Sequence, residues 1–216
     1  MKPLLLTLAF LAVSGLTLLR ADDVALMEIR VEKEKLPHQV AIEFYPDAPA
    51  TVANFKKLAE KKFYNGQTFH RIFPHILVQA GDPLSRGKNR SYVGTGGPGY
   101  TLNPEIRRKH TLGAVAMARL PDKINPSRVS NGSQFFVCLK PMPEYDGQST
   151  VFGHVIMGMD TLTEISNLPV DTNDAPTEKV TIKSLRIIPR EKLPSETPPP
   201  AAAKPAEKRH KRFGLF

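Results

Sequence analysis

An arginine and a glutamine lie within an otherwise apolar, strand-forming stretch, residues 69–82. Side chains of a strand alternate between its two faces, so Arg71 shares a face with Phe69, and a second short run after Pro74-His75 carries Gln79. Two such strands can place a guanidinium, which stays charged and donates several hydrogen bonds, beside an amide and an apolar surface. A surface arginine whose aliphatic stem covers apolar neighbours fits these residues equally well.

Three further segments complete a pattern with this stretch. Residues 113–118 read GAVAMA, residues 132–138 read GSQFFVC, and Asp146-Gly147 precedes VFG at 151–153. In order and spacing, these segments and FHRI…QAGD resemble the signature strands of the cyclophilin family of peptidyl-prolyl isomerases, over about residues 24–188. The resemblance implies a closed eight-stranded antiparallel barrel capped by two α-helices. It also implies an enzyme that accelerates rotation about X-Pro bonds during protein folding.

The resemblance assigns roles to individual side chains. Arg71 matches the family arginine that contacts the prolyl region, Gln79 the glutamine that helps to position it, and Phe136 an apolar position that holds the proline ring. For Phe136 and Leu77 the residues alone would favour ordinary core packing. The further positions that match the substrate groove are Ile76, Leu77, Gly94, Met117, Ala118, Arg119, Gln134, Tyr145 and Ser149.

Several positions depart from the family pattern. Ile76 replaces the usual aromatic residue, Glu144 replaces the tryptophan of eukaryotic members, and Ser149 replaces a histidine. Arg119 stands where asparagine is common, and a longer loop, residues 120–131, follows it. These departures leave a second hypothesis open, a cyclophilin-fold peptide-binding or holdase module with little turnover. Retention of Arg71 favours the isomerase.

No cofactor or metal is predicted. Residues 94–99, GTGGPG, fit the G-x-G-x-x-G pattern, but a dinucleotide site needs a strand before it and a helix opening inside it. Pro98 lacks an N–H, and residues 100–104 do not resemble a helix start, so the glycines are interpreted as a tight loop beside the groove. The chain has no H-E-x-x-H, no paired cysteines and no G-x-S-x-G.

Most of the net charge of +9 belongs to the two ends of the 216-residue chain. Residues 1–20 carry two basic residues, and residues 189–216 carry seven basic against three acidic residues, a net +4. The remaining body has 21 basic and 18 acidic residues, only +3. A body whose basic and acidic residues nearly balance is not expected to bind nucleic acid. The expected partners are proline-containing unfolded or extended polypeptides, and the protein is expected to be a monomer.

Both ends differ from the body in composition. Residues 1–21 have the form of a signal peptide: Lys2, then an apolar run at 4–19, then the small residue Ala21. An uncleaved helix is the competing interpretation, but sixteen residues rise only about 24 Å, against a hydrocarbon core of about 30 Å. We therefore expect export to the periplasm or medium, with cleavage after Ala21.

Residues 189–216 are predicted to be a disordered proline- and alanine-rich linker that ends in a basic tail. The tail is either a solubilising extension or a docking peptide for an anionic surface or a partner, so membrane contact is expected only through the leader or the tail. The isomerase domain is predicted to span residues 22–188. Its single cysteine, Cys138, cannot form an intrachain disulfide and is expected to be a buried strand residue.

Periodicity predicts the elements that position the site. Alternation indicates strands at 25–32 and 39–45, and a stripe of Val52, Phe55, Leu58 and Ala59 indicates a helix over 47–62, with Asp47 as its cap. Further strands are predicted near Thr68, Leu77, Ala114, Phe135 and Val155 and over 179–188, with a short helix over 160–166.

Overall fold

The computed structural model describes residues 22–194, so the predicted signal peptide with its cleavage site and most of the predicted tail lie outside the described residues. Two helices, α1 (Pro49–Glu60) and α2 (Met159–Ser166), accompany eight strands. The strands are β1 (Asp23–Val31), β2 (His38–Phe44), β3 (Arg71–Phe73), β4 (Leu77–Ala80), β5 (Ala114–Met117), β6 (Phe135–Cys138), β7 (Val151–Met157) and β8 (Val180–Pro189).

The strands form one antiparallel sheet in the order β3-β4-β6-β5-β7-β2-β1-β8. The prediction of a closed barrel is wrong, because β3 and β8 form no ladder and the sheet is a curled half-barrel. The predicted strand near Thr68 is instead one bridge, Thr68↔Thr181, flanked by a hydrogen bond from Phe69 N to Val180 O. From His70 onward the backbone hydrogen-bonds to β4 instead, with His70 N donating to Gln79 O. The pairing with β8 therefore ends at Phe69 and is too short to form a ladder that closes the barrel.

Helix α1 begins with Pro49, whose missing N–H costs nothing in a first turn. The predicted cap is wrong: Ala48 is the N-cap residue and makes no side-chain cap bond, while the Asp47 carboxylate binds the Arg108 guanidinium at 2.8 Å. Glu105 satisfies the free amides instead, because its two carboxylate oxygens accept from Ala50 N (3.0 Å) and Thr51 N (2.8 Å). A side chain distant in sequence therefore caps the helix.

Apolar residues form two clusters on opposite faces of the central strands. The larger one, called the barrel cluster, lies inside the curl of the sheet and is centred on the rings of Phe55, Tyr64, Phe135 and Phe152. The smaller one, called the groove cluster, lies on the other face and comprises Leu77, Ala114, Ala116, Phe136, Cys138, Met142 and Val151, with Tyr45, Phe73, Ile76 and Ala118 packed at its margin. Cys138 is fully buried, as predicted.

The folded body extends beyond the predicted boundary at residue 188. Strand β8 continues to Pro189, a short 3₁₀ turn covers Arg190–Lys192, and Arg190 N donates to Asp22 O at 3.1 Å. The Arg190 guanidinium also pairs with Glu43 at 2.6 Å, so contacts with β2 and with Asp22, just before β1, attach these residues to the sheet. Between residues 22 and 194, the helices are too short or too polar to span a membrane.

Candidate active site

Three predicted site residues lie in one row across neighbouring strands. Arg71 of β3 is directly opposite Gln79 of β4, and Gln79 is directly opposite Phe136 of β6. Residues that face each other across an antiparallel sheet share a face. The side chains of a cation, an amide and an aromatic ring therefore project from the same face, the one that carries the groove cluster.

The row ends at an apolar surface. Phe136 and Leu77 are each only 5% exposed, and Ile76 and Ala118 lie at the margin. The Tyr145 ring lies 6.0 Å from the Phe136 ring, and the His110 ring stacks on Phe136 with centroids 5.9 Å apart and an interplanar angle of 5°. These groups form an apolar and aromatic surface whose chemistry suits a small apolar ring.

His110 is a site residue that sequence reasoning missed, because no motif marks it. Its backbone N donates to the Asp146 carboxylate at 2.7 Å, and its Nδ1 lies 3.3 Å from the same oxygen. Burial lowers the pKa of His110, against the opposing effect of Asp146. At neutral pH the ring is thus an uncharged neighbour of Phe136.

Arg71 is half-exposed at the edge of this surface. Its guanidinium lies over the Phe73 ring, 4.5 Å from the centroid, and its Nε lies 3.7 Å from the Asp174 carboxylate. The implied contact with Gln79 is not formed, although the two residues are cross-strand neighbours. Gln79 Nε2 donates instead to Gln134 Oε1 at 2.9 Å, since Gln134 presents that oxygen from the adjoining strand segment.

Gln134 connects the row to the glycine-rich loop. Its Nε2 donates to Gly94 O (3.0 Å) and Gly96 O (2.8 Å). The buried Asp82 carboxylate, another group that sequence reasoning did not single out, accepts from the backbone N of Gly94 and Gly96. A Cβ at Gly96 would collide with that carboxylate. The glycines thus permit close packing against Asp82, consistent with a groove loop, and no strand or helix flanks them closely.

Met117 does not line the groove, which corrects the sequence prediction. Strand β5 alternates, so Ala116 faces Phe136 in the groove cluster while Met117, 1% exposed, points into the barrel cluster. The next residue, Ala118, returns to the groove side and bonds through its N–H to Gln134 O at 2.9 Å.

Arg119 is placed beside the groove, but other parts of the chain engage its side chain. It pairs with Asp122 at 2.6 Å and donates to Gln148 O. Arg128 pairs with the same Asp122 at 2.7 Å and donates to Gly147 O at 2.7 Å. The long loop 120–131 is therefore attached to the segment that carries Tyr145, which is 37% exposed, and Ser149, which is 4% exposed.

The arrangement suits non-covalent chemistry on a bound polypeptide: an apolar surface to hold a ring, a fixed cation at its edge, and an amide network leading to a loop. Within residues 22–194 no histidine, cysteine, aspartate and glutamate side chains lie close enough together to hold a metal ion.

Comparisons with known proteins identify the family of this chain. The cyclophilin type peptidyl-prolyl cis-trans isomerase family matches residues 26–187. The chain is 40% identical over 134 residues to peptidyl-prolyl cis-trans isomerase B of Bacillus subtilis, covering 60% of this chain and 85% of that protein. It is 38% identical over 151 residues to the Aspergillus oryzae peptidyl-prolyl cis-trans isomerase-like 1, covering 68% and 88%.

Solved structures share the fold. A cyclophilin type peptidyl-prolyl cis-trans isomerase of Cryptosporidium parvum superposes with a TM-score of 0.63 at 26% identity, covering 76% of this chain and 98% of that one. A second structure of that protein, in the presence of the dipeptide Ala-Pro, gives a TM-score of 0.61 at 26% identity, covering 74% and 98%. The chain belongs to the cyclophilin-type family of peptidyl-prolyl cis-trans isomerases.

Proposed function

We propose that this chain accelerates rotation about X-Pro bonds in extended or unfolded polypeptides, with the groove cluster holding the proline ring and Arg71 stabilising the twisted amide. The observation that carries the proposal is the row of Arg71, Gln79 and Phe136 across β3, β4 and β6. Proline-containing peptides are the proposed substrate class, which the Ala-Pro dipeptide used with the Cryptosporidium parvum protein supports.

The reaction explains why such a site needs no nucleophile. Resonance gives the peptide C–N bond a rotational barrier of about 18–20 kcal/mol, whereas the two X-Pro isomers differ by only about 0.5–1 kcal/mol. Rotation removes the resonance and makes the prolyl nitrogen more basic. A fixed cation at the pocket edge then stabilises the twisted geometry more than the planar one, which is preferential binding of the transition state.

The test is Arg71→Ala, assayed by protease-coupled isomerisation of a proline tetrapeptide. A hydrogen bond to a charged group contributes about 1.5–3 kcal/mol, so kcat/KM should fall roughly 10- to 150-fold. Arg71→Lys should restore only part of the activity, because a point charge lacks the planar fork. Thermal melts should coincide with that of the wild type, since Arg71 is half-exposed.

Two outcomes would contradict this proposal. Wild-type turnover by Arg71→Ala, with an unchanged melt, would remove Arg71 from the mechanism. Negligible turnover by the wild-type chain itself, with retained binding of proline peptides, would favour the holdase alternative that Ile76, Glu144 and Ser149 leave open.

We further propose that the protein works outside the cytoplasm, on secreted or envelope polypeptides in a bacterium. The leader-like composition of residues 1–21 supports this location. Fractionation of cells that express the full chain, with and without residues 2–21, tests it. Export of the full chain alone is expected, and export of both forms would contradict a role for the leader.

The basic residues between 204 and 212 suggest a docking role for the tail. Near an anionic lipid surface each basic residue contributes about 1 kcal/mol, so the full chain should sediment with anionic vesicles at low salt and be released at high salt. A chain ending at Pro194 should keep full tetrapeptide turnover and not sediment. Equal sedimentation of both forms would leave the tail a solubilising extension.

A further inference from the structure

The Arg71 guanidinium has a carboxylate neighbour that comes from the far end of the chain. Asp174 lies in the loop between α2 and β8, and its Oδ2 is 3.7 Å from Arg71 Nε. The two side chains are 46% (Arg71) and 42% (Asp174) exposed, so both are accessible to a bound polypeptide. No other carboxylate of residues 22–194 forms an ion pair with Arg71.

The backbone holds Asp174 in place. Ile72 N, the amide next to Arg71, donates to Asp174 O at 2.9 Å, which attaches the loop directly to β3. Asp174 N donates to Asp171 O at 3.2 Å, and the Asp171 carboxylate accepts from Ala175 N at 3.1 Å. Asp174 has a φ of +59°, a left-handed conformation that aspartate and asparagine adopt more readily than other residues with a Cβ.

The contact with Asp174 leaves the two terminal nitrogens of the Arg71 guanidinium free. Asp174 approaches Nε, while the aromatic face of Phe73 supports the guanidinium at 4.5 Å. Elsewhere in the described chain no acceptor forms a hydrogen bond with the terminal nitrogens of Arg71, so they are available to a substrate. A half-exposed ion pair adds little to folding stability. Restricting a side chain with many rotamers, however, orients the donors that a rigid fork offers.

We propose that Asp174 is a positioning residue for the isomerase reaction, which holds the Arg71 guanidinium over Phe73 with its terminal nitrogens directed to the substrate. This inference rests on the proposed function of Arg71. It assigns to the α2–β8 loop a part in activity that no motif in the sequence marks, and it makes one exposed carboxylate a determinant of turnover.

The experiment is Asp174→Asn in the full chain, because asparagine keeps the left-handed backbone and removes only the charge. Exposed ion pairs contribute at most about 1 kcal/mol, so kcat should fall about 2- to 5-fold while KM for the proline tetrapeptide stays the same. Glu178→Gln is the matched control: it removes one charge from the same loop, but its carboxylate pairs with Lys33 at 3.5 Å. The control should keep wild-type kcat.

Repeating the substitution in an Arg71→Ala background separates positioning from a structural effect. Asp174→Asn should then change kcat no further, because its effect passes through Arg71. An unchanged or raised kcat in Asp174→Asn alone would overturn the inference while the loss in Arg71→Ala still upholds the proposed function. An equal loss in both backgrounds would also overturn it. Full activity of Arg71→Ala would instead overturn the proposed function.

Discussion

Phe135 and Phe136 are neighbours in the sequence and belong to different clusters. Phe135 is fully buried in the barrel cluster, with its ring 5.6 Å from Phe55 and 5.9 Å from Tyr64. Phe136 belongs to the groove cluster, where its ring neighbours are His110 and Tyr145. A strand turns successive side chains to opposite faces. One dipeptide thus supplies a stabilising ring to one face of the sheet and a binding ring to the other.

In this fold a core and a pocket differ in the groups that border their apolar side chains. The barrel cluster consists of buried apolar side chains from the strands, from α1 and α2 and from the segments between them. The groove cluster is bordered by half-exposed or charged groups, Arg71 and Tyr145 among them, and by the amide network of Gln134. Apolar surface that remains partly open next to fixed polar groups is the kind that binds ligands.

The largest effect should follow from Phe135→Ala. Removing a fully buried aromatic ring costs about 3–5 kcal/mol of unfolding free energy, because the surrounding rings relax only partly into the cavity. Urea unfolding followed by circular dichroism measures it. Phe135→Leu, which keeps most of the apolar volume, is the control and should cost clearly less. A loss under about 1 kcal/mol in Phe135→Ala would show that the barrel cluster is not the main core.

Phe136→Ala should affect turnover more than folding. Burial of a large apolar side chain contributes about 1.5–3 kcal/mol, so losing the ring as a contact for proline should lower kcat/KM roughly 10- to 150-fold. The same unfolding experiment should show a smaller loss than for Phe135→Ala, since the groove is partly open. Equal losses of unfolding free energy in Phe135→Ala and Phe136→Ala, with unchanged kcat/KM, would contradict the roles assigned to the two clusters.

Acidification should weaken the groove side through His110. Burial holds the pKa of folded His110 below its ordinary value, so below about pH 6.5 the unfolded chain binds more protons. The contribution of neutral His110 to the free energy of unfolding is therefore fully present above that pH. It is lost as the pH falls toward the folded pKa, by at most about 1.4 kcal/mol per pH unit. His110→Asn should reduce the slope between pH 7 and 5 in urea unfolding without abolishing it, because burial also lowers the pKa of His70.

A separate group of residues provides an internal control for that experiment. Hydrogen bonds from Arg108 and Arg128 lower the pKa of Asp47 and Asp122, respectively. Their contribution is present above the unfolded carboxyl pKa and is lost only as the pH falls further, below about 4. The contribution of Asp47 and Asp122 to the loss of stability below pH 4 should therefore be the same in wild type and His110→Asn, whereas that of Asp146, whose pKa His110 lowers, should differ between them. A wild-type slope in His110→Asn between pH 7 and 5 would contradict the assignment.

The smallest effect concerns Cys138, at the buried edge of the groove cluster. Burial raises the pKa of its thiol to about 12, so almost no thiolate exists at pH 8. A disulfide reagent such as Ellman's reagent should leave the native chain unlabelled and react once with the chain in denaturant. Rapid labelling of the native protein would show that the groove cluster opens to solvent.

The sequence was sufficient to predict the structure where local pattern and motif agree. Alternation predicted β1, β2 and β8 to within a few residues, and the apolar stripe predicted α1. The resemblance of FHRI, QAGD and GSQFF to cyclophilin segments placed Arg71, Gln79 and Phe136 in one site, and the structure puts the three residues in one row on paired strands.

The sequence was not sufficient to predict contacts between side chains or strands that lie far apart in the chain. Met117 was assigned to the groove by the family resemblance, whereas the pleat of β5 turns that side chain inward. Asp47 was expected to cap α1, but Arg108 pairs with it and Glu105 supplies the cap. Closure of the barrel was expected, but the chain changes pairing partner between Phe69 and His70.

Side-chain alternation and motif spacing are properties of the chain, so the sequence and its family resemblance were enough to predict that an arginine, a glutamine and apolar rings share a site. The hydrogen bond from Gln79 to Gln134, the stacking of His110 on Phe136 and the approach of Asp174 to Arg71 are known from the folded structure alone. The physical reason is that hydrogen bonds and ring contacts depend on distances of a few ångströms between loops. Those distances follow from how the whole sheet curls and not from any local pattern.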